Sequence, residues 1–506
     1  VAHSFPTRRS SDLEKKAALK LSSLATHREN NVWRALEEAV DVWDREEQPV
    51  KVTRWPDLPS VEGGISVYPG RFRDLAEKIK ETFGAAVMVV PQPSPAFWSL
   101  SALWAGWLWG QETAAPLRNI LSLQKTDWGW HTRALQNTFA NLQSFLTYQT
   151  SCFAVLPDVS PEFLTSAITA SHASRFQIQS ISLENLRGEA QIVWSRREES
   201  ERFPPESLKA VLRNAGYSHL SERGEPSYTL PLYAAGLRAV DQEGAFYAPG
   251  EVEISQIYAE LREEMEETFA YRQGFLHYPD SDTWWHQESS LDVTPLSDEV
   301  EKKLVNRLVN ADTPLQRLTL ENEIYTHYPG LLTPPAKLIE VCLKSYAEKV
   351  EEGTDRWQLK ENETPSTRLD DIQEMEGLLG SLGERLGFSI NRKSSRGHVS
   401  VFTWDDEGPA HTFFISASGI LGKLILLDPD PPPDPWIVLP GSRAHLVVYK
   451  LSQNIPLRER VEESWGFLKY RHLRRLVDDE SVTRENMGER LSLDPLQYDA
   501  PQLPLI

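Results

Sequence analysis

Segments that predict strands alternate with segments that predict helices, and this alternation constrains the fold more than any other feature of the chain. Residues 72–82 have the composition of a helix, and a strongly β-branched segment at 85–90 predicts a strand that stops at Pro91. A helix rich in aromatic residues is expected from about Ala96. Strand and helix in alternation are typical of an α/β sheet with helices packed on its faces.

The alternation continues further along the chain. Residues 152–156 predict an apolar strand, and Ser160, which a proline follows, predicts the start of a helix. Strands are then expected at 176–183 and 191–194, joined by a polar turn. The sheet would therefore end in an antiparallel hairpin, which resembles the closing part of the Rossmann-like sheet of class I methyltransferases.

Composition and charge limit the classes of function. The chain has 506 residues, enough for several domains, and a net charge of −20. This charge disfavours a wide nucleic-acid-binding face, so contact with DNA would need a local basic patch. Cys152 and Cys342 are too far apart to predict a disulfide framework or a cysteine metal site. With no run of about 18 apolar residues, we expect no membrane partner and a cytoplasmic location.

The first residues require a separate interpretation. Residues 4–13 read SFPTRRSSDL, which has no helical or strand period and resembles the translation of a common sequencing adapter. A disordered arm or a basic targeting segment are the alternatives. We expect residues 1–13 to be an artefact and exclude them from fold reasoning. On this interpretation the natural gene begins upstream and the chain is a fragment.

The remaining chain is predicted to be an α/β multidomain protein. Three helices and a strand between residues 293 and 362 are typical of a winged helix. In the last α/β unit, strands are expected at 399–403, 412–416, 424–427 and 436–439, and residues 456–479 are expected to be helical. The predicted divisions are a partial methyltransferase-like domain at 14–200 that begins with a helix at 14–47, a helical connector at 201–292, the winged helix at 293–362, a C-terminal α/β domain of restriction-nuclease-like layout at 363–482, and a tail at 483–506.

The end of the strand at 85–90 is the first candidate site. In amino-methyltransferases that act on DNA, a polar side chain at such a strand end orients the amine of a flipped base, and an aromatic ring stacks on the base. Here Gln92 and Ser94 would orient the amine, and Phe97 or Trp98 would stack on the base. The alternative is that this segment only ends the strand and contributes to an aromatic core.

The sequence does not carry the expected cofactor loop. Class I methyltransferases bind S-adenosylmethionine at a glycine-rich turn, since only glycine allows such a close approach of the backbone. No such turn follows Gly63 and Gly64. S-adenosylmethionine is therefore possible as a cofactor of the full-length protein, and no cofactor is expected for this fragment alone.

Basic side chains form the second candidate site. Lysines and arginines on the predicted recognition helix and in the last domain could contact phosphates. These are Lys337, Lys344, Arg392, Lys393, Arg396, Lys469, Arg471, Arg474 and Arg475. Acidic residues alternate with them, so a solvated surface is the alternative. His131 and His327 stand alone in the sequence and are expected to be structural.

A nuclease site in the last domain would need a set of acidic residues and a lysine to hold a metal ion. Asp405 and Asp406 offer two acids, but the strand that follows offers no further acid and no lysine. We therefore expect this domain to be inactive, and no metal site is predicted.

Three segments together carry a family resemblance. They are GGISVYPGRFRDLAEKI, YPGLLTPP and WGFLKYRHLRRL. They resemble the C-terminal portion of large bacterial DNA methylase-related proteins, which are associated with restriction-modification and phage defence. The resemblance implies a role in DNA recognition or a degenerate amino-methyltransferase domain. The alternative is a non-enzymatic scaffold that binds protein partners through the tryptophan-rich helix and the winged helix.

Overall fold

The computed structural model describes most of the chain after residue 50. The described ranges are 51–59, 63–68, 72–76, 78–79, 82–92, 95–112, 114–115, 127–184, 188–197, 208–244, 253–269, 274–287, 293–351, 353–396, 399–406, 409–426 and 431–497. The predicted artefact and the predicted helix at 14–47 lie outside them. The chain divides into two compact units, residues 1–78 and 79–506. In the first unit, strands β1 (Val52–Arg54) and β2 (Ile65–Val67) pair in parallel, and helix α1 (Phe72–Ala76) follows.

The second unit begins with a four-stranded sheet. Its elements are β3 (Phe83–Val89), α2 (Pro95–Trp109), α3 (Trp128–Gln143), β4 (Leu146–Leu156), α4 (Pro161–Ala173), β5 (Phe176–Glu184) and β6 (Glu189–Arg196). The strand order is β3-β4-β6-β5. Strand β3 is parallel to β4, whereas β6 lies antiparallel between β4 and β5. The predicted strands and the antiparallel hairpin are therefore present.

Local sequence explains where these helices begin. The hydroxyl of Ser160 accepts a hydrogen bond from the backbone N–H of Phe163, and a proline occupies the first turn of α4. Asp127 caps α3 in the same way through the N–H of Trp130. The caps stabilise the first turns of both helices. Helix α3 packs on the sheet, where the ring of Phe139 lies edge-on to Trp194.

The next segment is helical, as predicted, and also contains a small sheet that was not predicted. It comprises α5 (Leu208–Arg223), β7 (Ser227–Tyr228), α6 (Thr229–Gln242), α7 (Ile254–Thr268), β8 (Phe275–Tyr278) and β9 (Thr283–His286). Helix α7 packs on α3 and α4, and α6 packs on α4 and β5. Asp241 of α6 bonds to the ring of His172 and to the N–H of Ile178, both at 2.7 Å. The connector therefore covers the helical side of the first sheet.

Three further helices surround a second small sheet. The order is α8 (Leu296–Val309), β10 (Leu315–Gln316), α9 (Arg317–His327), α10 (Ala336–Tyr346), β11 (Ala347–Lys349) and β12 (Arg356–Leu359). The strands are antiparallel in the order β10-β12-β11. Val300, Leu304 and Leu308 of α8 are buried together with Ile339 and Leu343 of α10. The facing sides of α8 and α10 therefore form the core of this part.

The last part is a five-stranded mixed sheet with helices. It comprises α11 (Pro365–Arg385), β13 (Ser389–Arg396), β14 (Val399–Asp405), β15 (Pro409–Ile415), α12 (Gly422–Leu426), β16 (Pro435–Leu439), α13 (Ala444–Gln453), α14 (Ile455–Ser464), β17 (Gly466–Lys469), α15 (Tyr470–Asp478) and α16 (Met487–Leu491). The strand order is β13-β14-β15-β16-β17. Strands β13 to β15 are antiparallel, and β15 to β17 are parallel.

Three predictions for this part were wrong or incomplete. Residues 424–426 of the strand predicted at 424–427 belong to the helix α12, and residue 427 lies outside the described part. Residues 456–479 are not helical throughout, because β17 interrupts them. The predicted tail contributes Met487 and Leu491 to the core of the last sheet. None of the described helices is both long enough and apolar enough to cross a bilayer.

Candidate functional site

The carboxyl ends of β3 and β4 lie side by side, since these strands are parallel neighbours. Ligand sites of α/β sheets occur at such ends. Pro91 and Gln92 follow β3, and Pro157 and Asp158 follow β4. The structure therefore places the first predicted candidate, Gln92, at a position where α/β proteins hold ligands.

Gln92 is already engaged at this position. Its amide nitrogen donates to the carbonyl of Pro157 at 2.7 Å and to the carbonyl of Asp158 at 2.9 Å. A side-chain amide has two donor hydrogens, so both are used. The side chain thus ties the end of β3 to the end of β4.

Of the predicted stacking residues, Trp98 belongs to the core. Its ring is buried and lies edge-on to the ring of Trp130 on α3, with the centroids 6.2 Å apart. The side chain of Phe97 and the whole of Ser94 lie outside the described part of the chain. Trp98 therefore has no open face on which a base could stack.

The sequence predicts a structural role for His131, and the contacts of its ring at this site are those of a structural residue. Its ring is buried between Trp128 and Phe163, with ring centroids at 5.6 Å and 5.8 Å. Burial lowers the pKa of His131 to about 4, although a hydrogen bond to the carbonyl of Pro91 opposes that effect. Nε2 is buried and has no hydrogen-bond partner among the described residues. The neutral ring is thus bonded to the residue that follows β3 and stabilises the end of that strand.

The sequence indicates where His131 lies in its helix, but not what the ring contacts. His131 follows a helix-capping aspartate, Asp127, by four positions and so lies in the first turn of α3. The first turn of α3 lies beside the end of β3, since the ring of His131 bonds to Pro91. This proximity depends on tertiary packing, which a single sequence does not specify.

The predicted basic residues of α10 are paired within their own helix. Glu340 lies between Lys337 and Lys344 and accepts from both, at 3.2 Å and 2.5 Å. The bond from Lys344 lowers the pKa of Glu340 and keeps its charge in place. The opposite side of α10, including Ile339 and Tyr346, is buried. The exposed face of this helix therefore carries little net charge.

The basic residues of the last domain are also largely paired. Lys469 is buried and donates to Asp494, which also receives two bonds from Arg471. Arg474 forms a two-bond pair with Glu374 at 2.7 Å and 2.8 Å.

The structure also places the side chains of two of the four remaining predicted contacts in this domain. Arg392 pairs with Glu376. Arg475 is exposed. Lys393 and Arg396 lie in β13, but their side chains are outside the described part. The described residues therefore do not form a patch of free positive charge.

The two acidic residues considered for a nuclease site, Asp405 and Asp406, have different surroundings. Asp406 pairs with Arg484, whereas Asp405 is half-buried. In the described ranges, no three histidine, cysteine, aspartate or glutamate side chains are arranged to hold a metal ion.

A buried ionic cluster lies between α8 and the last sheet, and the sequence did not reveal it. Lys450 of α13 donates to Asp298 and Glu301 at 2.5 Å and to the carbonyl of Gly419 at 2.9 Å. We call these residues, with Tyr346, the Lys450 cluster. The hydroxyl of Tyr346 donates to Glu301. An ammonium group has three donor hydrogens, so Lys450 is saturated and its role is structural.

Electrostatics favour the charged form of this lysine. Burial would lower the pKa of Lys450, but the carboxylates of Asp298 and Glu301 outweigh burial and raise it. Burial raises the pKa of Asp298, and Lys450 opposes this shift.

A buried arginine lies next to the cluster. Arg443 pairs with Glu363, donates to the carbonyl of Ala417 and lies 3.5 Å from the centre of the Tyr346 ring. Its charge is thereby compensated. These contacts fix α8 and α10 to the last sheet.

Neither a model of a known protein family nor a curated protein sequence matches this chain.

Proposed function

We propose that this chain is the non-catalytic C-terminal part of a DNA methyltransferase-related protein. The observation that carries the proposal is the strand order β3-β4-β6-β5. In this sheet β3 and β4 are parallel neighbours, and β6 lies antiparallel between β4 and the edge strand β5. This order resembles the closing half of a class I methyltransferase sheet. Under the proposal, the methyl donor binds to strands on the far side of β3.

The contacts of Gln92 support the non-catalytic form of this proposal. A group that orients an amine must accept a hydrogen bond from it, and the acceptor of Gln92 is its side-chain oxygen, whose position the two bonds of the amide nitrogen fix. Both donor hydrogens of Gln92 are directed at the carbonyls of Pro157 and Asp158. The carbonyl of Pro91 receives a bond from His131. These hydrogen bonds join the end of β3 to the end of β4 and to α3, which is a structural role.

The element order at residues 296–359 supports a winged helix. Helix, strand, two helices and two strands occur in sequence, and the third strand lies between the other two. The two exposed lysines of α10 both pair with Glu340, which leaves a net charge of only +1 on these three side chains, so we assign this part a spacer role. The last domain, with a helix before three antiparallel strands, resembles the restriction-nuclease layout, and we assign it no cleavage activity.

Binding and transfer of a labelled methyl group test the proposal. The chain alone should neither bind S-adenosylmethionine in equilibrium dialysis nor methylate duplex DNA. The product of the uninterrupted gene should bind the donor. Methylation by the chain alone would overturn the non-catalytic assignment, and failure of the complete gene product to bind the donor would overturn the methyltransferase relationship.

A further inference from the structure

The carboxylate of Asp494 lies at the end of strand β17, between two cations. Lys469, the last residue of this strand, donates to Asp494 at 2.8 Å and to the carbonyl of Pro495 at 2.5 Å. Arg471 donates to both oxygens of the same carboxylate, at 2.7 Å and 2.9 Å. Strand β17 is parallel to β16, and ligand sites of α/β sheets occur at the carboxyl ends of parallel strands. A side chain of the protein thus occupies a position at which such sheets bind ligands.

The cations around Asp494 suit a phosphate group as well as a carboxylate. Two N–H groups of Arg471 point to the carboxylate side by side, and arginine binds carboxylates and phosphates with this same geometry. Lys469 is 3% exposed, so its hydrogen bonds form in a poorly solvated environment, where they are stronger than in water. Arg475 lies one turn beyond Arg471 on α15, is exposed and has no ion pair with the described residues. It extends the positive charge of the site towards the solvent.

Residues 492–497 hold Asp494 in place with few buried side chains. Asp494 is 3% exposed, whereas its neighbour Leu493 is 56% exposed. Leu496 is partly buried against the core of the last sheet, and the other residues of the segment are exposed. One acid and one leucine therefore provide most of the buried side-chain contact of this segment. Its displacement would uncover Lys469 and leave the preceding core residue, Leu491, in place.

We propose that Lys469 and Arg471 form a phosphate-binding site, and that residues 492–497 cover this site with Asp494 in place of the phosphate. The site binds the phosphate group of a small molecule or of a nucleic-acid backbone when the segment moves away. Asp494 is an intramolecular competitor, because the chain holds its carboxylate at a high effective concentration next to the two cations. The proposal does not depend on the methyltransferase relationship.

Calorimetric titration of the full chain with inorganic phosphate tests this proposal. Asp494→Asn keeps the size of the side chain and removes the competing charge, so it should bind phosphate at least about tenfold more tightly than the parent chain. Asp312→Asn is the matched control, because Asp312 is exposed and lies in the loop after α8. It removes the same charge elsewhere and should bind phosphate no better than the parent.

A second variant tests the cover without a change of charge. Leu496→Ala removes the partly buried leucine that anchors the segment and keeps Asp494. This variant should also bind phosphate more tightly than the parent chain, because the segment then leaves the site more often. If Asp494→Asn does not fold, Leu496→Ala carries the test. Addition of Arg471→Gln to either variant should abolish the gain.

Duplex DNA identifies the source of the phosphate group. The fluorescence anisotropy of a labelled duplex is measured with the same variants. A gain for both DNA and inorganic phosphate assigns the site to a nucleic-acid backbone, and Arg475→Gln should then reduce the gain for DNA more than the gain for phosphate. A gain for inorganic phosphate alone assigns the site to a small phosphorylated molecule.

Other outcomes would overturn the proposal. Equal phosphate affinities of Asp494→Asn, Leu496→Ala and the parent chain would show that the segment covers no anion site. An equal gain in Asp312→Asn would show a general effect of net charge. A gain that survives Arg471→Gln would place the bound anion elsewhere.

Discussion

The ammonium group of Lys450 lies 2.5 Å from a carboxylate oxygen of Glu301, which is 149 residues earlier in the chain, and both side chains are buried. Glu301 belongs to α8 and Lys450 to α13, so this pair joins the three-helix part to the last sheet. Buried ion pairs add little net stability, but removing one partner is costly because the other charge stays buried.

Lys450→Met should therefore lower the free energy of unfolding by about 3–5 kcal/mol. The variant leaves the carboxylates of Asp298 and Glu301 together without their cation. Urea unfolding followed by tryptophan fluorescence measures the change. Lys302→Met is the control, since Lys302 forms an exposed pair with Glu299 at 3.8 Å. The control should change stability by less than about 1 kcal/mol. Equal losses in the two variants would contradict a structural role for the cluster.

Gln92→Glu should destabilise the chain by about 1–3 kcal/mol. The substitution conserves size but replaces the two donors with acceptors that face the carbonyls of Pro157 and Asp158. Thermal unfolding and urea titration measure the effect. Gln287→Glu, at an exposed position, provides the comparison and should have little effect. If Gln92→Glu were as stable as the parent chain, the brace between β3 and β4 would be unimportant.

His131 should make the chain less stable as the pH falls from about 6.5 towards 4. Burial lowers the pKa of His131 from 6.5 for an exposed ring to about 4 in the folded chain. The unfolded chain therefore binds a proton in this window that the folded chain does not bind, which favours unfolding at lower pH. The full difference corresponds to about 3 kcal/mol.

Comparison with His131→Gln isolates this contribution from the carboxylates that titrate in the same range. Unfolding free energies of the two proteins, measured at intervals from pH 7 to pH 4, should converge as the pH falls. Parallel curves would show that His131 is protonated equally in the folded and unfolded chains.

Asp494→Ala should cost about 3–5 kcal/mol, because it leaves the buried ammonium group of Lys469 without its carboxylate. Asp478→Ala, at the exposed end of α15, should have a small effect. Differential scanning calorimetry compares the two variants. No loss of stability in Asp494→Ala would mean that the segment after residue 483 contributes little to the fold.

The sequence predicted the strands and helices whose residues alternate or repeat at a regular spacing. The β-branched run in β3 and the cap at Ser160 are local signals, and both elements appear where expected. Short apolar runs do not distinguish a strand from a helix, and the segment at Leu424 was assigned to a strand for that reason. Strand β13 was not predicted, because its residues, SINRKSSR, are mostly polar.

The sequence predicted where the candidate site lies, but not which contacts its side chains make. The end of β3 follows from the strand and its terminal proline, so Gln92 could be placed there from the sequence. Whether its amide points to a ligand or to a neighbouring strand depends on Pro157, which lies 65 residues away. The pairing of Lys469 with Asp494 likewise depends on how separate elements pack. Charges that looked available along the sequence are therefore compensated in the folded chain.

The Lys450 cluster also limits where the chain can be cut. A shortened chain that ends before α13 would retain Asp298 and Glu301 side by side in an apolar core, with no cation to separate them. Its three-helix part could fold only by taking up protons at these acids or by opening to water. Residues 296–359 should therefore be expressed together with the sheet that follows them, even though the two parts differ in architecture.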